Sequence, residues 1–120
     1  MTVRECYEAM GANYDSVVSR LRTDERVQKF VLKVLNDKSF ELLNTSMKER
    51  NMEEAFRAAH TLKGVCQNLS LDRLYESSSA LAERLRGVTE YGEDMESMLK
   101  QVTEDYNLTI QCIRQLAEQA

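Results

Sequence analysis

Apolar residues recur along the chain at three- and four-residue spacing, the mark of amphipathic helices. The longest run, Met95, Met98, Leu99, Val102, Tyr106, Ile110, Ile113 and Ala117, predicts a helix from Thr89 or Gly92 to about Glu118. Leu71, Leu74, Ser78, Leu81 and Leu85 predict another, capped by Ser70 and stopped after Arg86 by Gly87. Asn51, with Glu54 three residues on, has the pattern of a capping box and opens a helix from Met52 to Leu69. Upstream, Thr23 caps a stripe of Val27, Phe30, Val31 and Val34, with Asp24 and Glu25 in the first turn. Leu42, Leu43 and Met47 continue on a rotated face, and Asn36-Asp37-Lys38-Ser39 sits at the change. One bent helix over residues 24–49, or two helices meeting there, fits this pattern; the single long helix is the preferred reading. Two short segments, Val3–Met10 ending at Gly11 and Asp15–Arg22 with Val17, Val18 and Leu21 inward, must lie against something larger.

Four long amphipathic segments with short links predict an all-α fold. The expectation is an antiparallel four-helix bundle over residues 24–118 with additional short N-terminal helices over 3–22, in one domain spanning 1–120. Proline is absent and there are only four glycines, which suits long helices.

Charge and cysteine content narrow the function. With 16 basic and 20 acidic residues the formal net charge is -4, which argues against nucleic-acid binding. No stretch approaches a membrane span, and the first residues lack an apolar signal-peptide run, so a cytoplasmic address is expected. Cys6, Cys66 and Cys112 are odd in number and widely spaced, which predicts buried structural thiols rather than disulfides. One histidine and three scattered cysteines predict no metal site. The scattered glycines form no phosphate-binding loop, so autokinase activity is not expected.

The helix from Met52 to Leu69 carries the candidate chemistry. At about 100° per residue, Ala55, Ala59, Leu62, Cys66 and Leu69 fall within a stripe of about 80°. His60 lies about 140° from the centre of that stripe and so faces outward. Glu53, Phe56, Arg57, Lys63, Gly64 and Gln67 share the outer face with it. Plain surface does not account for a lone histidine with an aromatic at i-4 and a glycine at i+4, where glycine costs about 1 kcal/mol against alanine. A neutral imidazole nitrogen is a usable nucleophile, and Lys63 at i+3 is placed to meet the charge of a phosphorylated ring. Gln67 is a second hydrogen-bond donor on the same line, and Arg57 a weaker flanking candidate. Spacing leaves other readings open. Lone surface histidines beside lysine are common, Glu53 and Arg57 fit a solvent ion pair, and Gly64 fits a close helix crossing.

The run Ala58-Ala59-His60-Thr61-Leu62-Lys63-Gly64 resembles the signature of histidine phosphotransfer (HPt) domains, a His-x-x-Lys-Gly motif on a bundle helix. Phe30 and Val34, the turn Asn51-Met52-Glu53-Glu54 and the turn Leu69-Ser70-Leu71-Asp72-Arg73-Leu74 extend the resemblance over residues 15–118. It implies that His60 accepts the phosphoryl group, Lys63 steadies it, Gln67 contributes to its surroundings and Gly64 gives a docking partner clearance. Glu53, Phe56 and Arg57 would border that partner. The implied partners are response-regulator receiver domains, with a hybrid histidine kinase as a further candidate, and the expected state is a monomer. No cofactor of the chain's own is implied; the magnesium ion is expected on the receiver. The chain departs from the family pattern at Ser70, where many members have glycine. It departs again at Ala82, where many carry an acid or amide facing the imidazole; Glu83 is one residue off that face, and Ser78 and Ser79 are the substitutes at hand. The alternative function is a helical adaptor that binds through the same face without phosphotransfer.

Overall fold

The computed structural model describes residues 1–119. Seven α-helices follow one another: α1 (Val3–Ala9), α2 (Tyr14–Leu21), α3 (Asp24–Leu32), α4 (Ser39–Lys48), α5 (Met52–Leu69), α6 (Asp72–Leu85) and α7 (Asp94–Glu118). A 3-10 turn, Lys33–Asn36, joins α3 to α4. The stripes read from the sequence set the packing. α5 lies between α4 and α6, α6 packs on α7, and α3 returns to α7 and touches α5. Short links make the neighbours antiparallel, and the result is the expected helical bundle. One continuous core runs through it, with Val17, Val27, Leu43, Leu62, Leu74, Leu81, Met95 and Ile113 among its fully enclosed side chains. The C-terminal stripe is buried at Met95, Val102, Ile110 and Ile113, and half-buried at Met98, Leu99, Tyr106 and Ala117. No described helix is long and apolar enough to cross a membrane.

The single long helix preferred for residues 24–49 is in fact two helices. Asp37 leaves the helical region (φ -74°, ψ 136°). Its Oδ1 accepts the Ser39 N–H at 2.9 Å, which caps the start of α4 locally. The break lets the two pieces serve different neighbours. α3 buries Val27 and Val31, while α4 turns Phe40, Leu43 and Met47 inward. Phe40 is buried and stacks on Tyr106 of α7, with ring centroids 4.0 Å apart and planes 14° from parallel. The exposed apolar residue of α4 is Leu42, at 57%.

Ser70 does not cap α6. It ends α5 in the left-handed region (φ 55°). There the Leu71 N–H reaches the Cys66 carbonyl at 2.9 Å and the Ser70 N–H reaches the Gln67 carbonyl at 3.3 Å. That pair of bonds is the Schellman closure, which satisfies carbonyls the helix end would otherwise strand. Gly11 after α1 and Arg50 after α4 close their helices in the same way. The last helix begins at Asp94, later than Thr89 or Gly92. At Asn51 only half of the expected capping box forms. Its side chain accepts the Glu54 N–H at 3.2 Å, while Glu54 turns to Arg57.

The short N-terminal helices are bound to the turn that follows α5. The Tyr7 hydroxyl donates to the Leu69 carbonyl at 2.8 Å, inside the core. The Asn13 N–H donates to the Ser70 carbonyl at 2.9 Å, and the Arg73 N–H donates to the Gly11 carbonyl at 3.2 Å. A Cβ on Gly11 would press on Arg73, and its φ of 66° favours glycine as well. The Ser70 hydroxyl donates to Ser16 Oγ at 2.9 Å and accepts from Arg20, so α2 is tied to the same point.

Candidate functional site

The inner stripe of α5 is buried as its phase requires: Ala55, Ala59, Leu62, Cys66 and Leu69, joined by Met52 and Ala58. With that face fixed against α4 and α6, helical geometry turns the opposite face to solvent. His60, Glu53, Arg57 and Gln67 are exposed, and Phe56, Lys63 and Gly64 are half-buried. All seven residues singled out in the sequence therefore stand on one accessible face.

Gly64 is the informative member. A Cβ placed on it would have nothing within 4 Å. A close helix crossing, one of the readings left open by spacing, does not explain it. The glycine weakens its own helix by about 1 kcal/mol relative to alanine without serving any contact inside the chain. What it leaves is a smooth step of backbone one turn from the imidazole, open to something outside the molecule.

The imidazole is not bare. The Phe56 ring stacks on it, with centroids 5.8 Å apart and planes 27° from parallel. Above Phe56 sits the Arg86 guanidinium from the end of α6, 5.1 Å from the ring centroid. Glu83 holds Arg86 through Nη2 at 2.9 Å and Nε at 3.3 Å. That bond is also the main reason the Glu83 carboxyl is held below the usual carboxylate range, with the Arg86 and Lys63 charges adding to it. Lys63, Glu83 and Arg86 therefore form a charged cluster where the end of α6 meets Phe56 on α5. On α5 itself, Arg57 is engaged by Glu53 and Glu54, both at 2.8 Å. The solvent ion pair read from the sequence is present, and it engages the Arg57 guanidinium.

Other candidates lie elsewhere. Gln67 is on the His60 line but seven residues on, about 10 Å along the axis at 1.5 Å per residue. Its carbonyl accepts weakly from Arg20 at 3.4 Å. Ala82 is fully buried, and Ser78 is buried with its hydroxyl donating to Leu74 O at 2.7 Å, so neither reaches the imidazole. The sequence signalled Glu83 only as off-face, and Arg86 only as a helix end. Their i,i+3 spacing was visible, but their approach to Phe56 depends on how α6 crosses α5.

Two hollows flank this face. Phe30, Lys33, Val34, Asp37, Val65, Asn68 and Leu69 line one on the Gly64 side. Ser16, Arg20, Gln67, Ser70, Asp72 and Tyr75 line the other at the C-terminal end of α5. Among the described residues, no three His, Cys, Asp or Glu side chains gather as metal ligands do.

A family model, the Hpt domain, matches residues 31–119. The match begins within α3 and includes the whole of α4 to α7; α1 and α2 lie outside it. No curated protein matches the chain, and no solved structure does. A match over most of the chain, on a helical bundle that turns a lone histidine outward beside an unfilled glycine, establishes the kinship: this chain belongs to the Hpt domain family, the histidine-phosphotransfer modules of phosphorelay signalling.

Proposed function

We propose that His60 accepts a phosphoryl group from the phosphoaspartate of a response-regulator receiver domain and passes it to another receiver. The observation that carries this reading is the pairing of an exposed imidazole with the empty space over Gly64. The receiver would seat over Phe56 and Gly64, bordered by Glu53 and Arg57. A neutral ring nitrogen of His60 then attacks phosphorus. The new N–P bond forms as the P–O bond to the aspartyl carboxylate breaks, and the carboxylate leaves as an anion. The reverse step reloads a second receiver. Phosphoryl transfer asks for positioning and charge neutralisation more than for covalent help from the protein. Lys63 supplies the positive charge from this chain, and the magnesium ion expected on the receiver supplies the rest. Gln67, further along the same line, serves the docked partner's edge. In this role the chain is a carrier without autokinase activity.

The test is incubation with a phosphorylated receiver, following acid-labile, base-stable label. Label on wild type and none on His60→Gln is the expected result. No label on wild type, or equal label on both, overturns the reading. Receiver capture that persists in His60→Ala with no label on wild type would instead identify an adaptor working through the same face.

A further inference from the structure

The phosphotransfer reading leaves open how the imidazole is aimed. An in-line displacement needs the attacking nitrogen directed at phosphorus, and an exposed imidazole left to itself samples several rotamers. Ala82 of α6 is buried and has no polar side-chain atom. Ser78 spends its hydroxyl on backbone carbonyls of its own helix. What α6 does bring to the site is Arg86, and it does so through Phe56.

We propose that Phe56 and Arg86 are positioning residues for His60: Phe56 stacks on the imidazole and Arg86, at the end of α6, steadies Phe56, so that α6 orients the nucleophile through an aromatic ring. This rests on the phosphotransfer reading for its purpose, but its geometry stands on its own. Phe56 and His60 are four residues apart on one helix face, where side chains meet. Their rings are within 27° of parallel at 5.8 Å, an offset stack that favours one imidazole rotamer over the others. The Arg86 guanidinium lies 5.1 Å from the Phe56 centroid, inside cation–π range. Arg86 is held in turn by an exposed ion pair in which Glu83 Oε1 accepts from two of its nitrogens. The Arg86 N–H also donates to the Glu83 carbonyl at 3.3 Å as the helix ends. The chain of restraint therefore runs from the end of α6 to Arg86, then to Phe56, then to the ring that is phosphorylated.

The test compares Phe56→Leu, Phe56→Tyr and Arg86→Ala with wild type in two measurements. Single-turnover transfer from a phosphorylated receiver, over a range of receiver concentrations, separates the maximal rate from half-saturation. Phe56→Leu and Arg86→Ala should each lower the maximal rate about tenfold, as when a reacting group is mis-aimed. Half-saturation should change little in Arg86→Ala, while Phe56→Leu, which also removes part of the docking face, should raise it. Phe56→Tyr, which keeps the ring, should recover the rate that Phe56→Leu loses. Proton resonances of the His60 ring report the stack without any transfer. They should be displaced by the Phe56 ring current in wild type and return toward free-histidine values in Phe56→Leu. Losses confined to half-saturation, or unchanged maximal rates, would make Phe56 and Arg86 docking residues only and overturn the inference. A wild type that takes no label overturns the phosphotransfer reading instead, and the stack is then decided by the ring resonances: no change in Phe56→Leu removes it.

Discussion

Gly64 lies one helical turn beyond His60, and the direction its missing side chain would take is empty. Helix propensity favours alanine at this point of α5 and internal packing does not oppose it, so the glycine works against the fold's own stability. A residue that costs stability without easing a contact inside the chain is best explained by what approaches from outside.

Gly64→Ala should therefore separate stability from function. The helix gains about 1 kcal/mol from alanine's better propensity and meets no clash. That corresponds to a rise in melting temperature of about 4 °C for a domain of this size. Receiver binding should weaken by about tenfold, because one extra methyl in a close interface costs on the order of 1–3 kcal/mol. Thermal unfolding and titration with a receiver measure the two effects on the same sample. A stabilised variant that still binds as wild type would show that the clearance has no use.

Ser70 predicts an order among substitutions. Its left-handed backbone disfavours any side chain, by about 1 kcal/mol or more, while its hydroxyl joins Ser16 and Arg20. Ser70→Ala keeps the strain and loses the hydrogen bonds, and should cost about 1–2 kcal/mol. Ser70→Gly loses the same bonds but relieves the backbone, so it should lie close to wild type. Urea unfolding midpoints in the order wild type near glycine, both above alanine, are expected; alanine equal to glycine would mean the turn carries no strain.

These cases mark what the sequence made legible. The phase of the α5 stripe placed His60 outward and the five inner residues inward, because a long helix turns a local period into a global face. The break at Asp37 was harder to see, since continuing a helix through Asp37-Lys38 costs only tenths of a kcal/mol by propensity. What decides it is that Val31 and Phe40 are both buried, although one continued helix would put them on opposite faces, about 180° apart. Ser70 read as an N-cap because serine favours that role, yet its place is set by the closure of the helix before it. Arg86 and Phe56 are thirty residues apart, and their contact follows from the α5–α6 crossing, which no local pattern carries.

Tyr7 should matter more than its place in a short terminal helix suggests. Its hydroxyl is the buried partner of the Leu69 carbonyl at the end of α5. Tyr7→Phe leaves that carbonyl unpaired in the core and should cost about 1–2 kcal/mol. Hydrogen exchange should quicken in α1 and α2 before it does in α5. Exchange that is unchanged in α1 and α2 would show that the N-terminal helices are held by apolar contacts alone.

The three cysteines give a prediction in pH. Burial disfavours the thiolate, pushing Cys66 from 9.0 up to about 12 and Cys6 up to about 11, and it raises Cys112 as well. At pH 8 a disulfide reagent should therefore leave the native protein almost unlabelled and react with all three thiols only on unfolding. The same shifts set the sign of an alkaline effect. Above pH 9 the unfolded chain loses its thiol protons while the folded chain keeps them, so the unfolded state binds fewer protons and stability falls as pH rises from about 9 toward 12. Below pH 9 both states hold these protons, and the thiols contribute no slope. Urea midpoints measured from pH 7 to 10.5 should be flat with respect to the thiols at first and then decline, and Cys66→Ala should decline less steeply. Rapid labelling of the native protein at pH 8 would mean that at least one of these sulfur atoms is open to solvent.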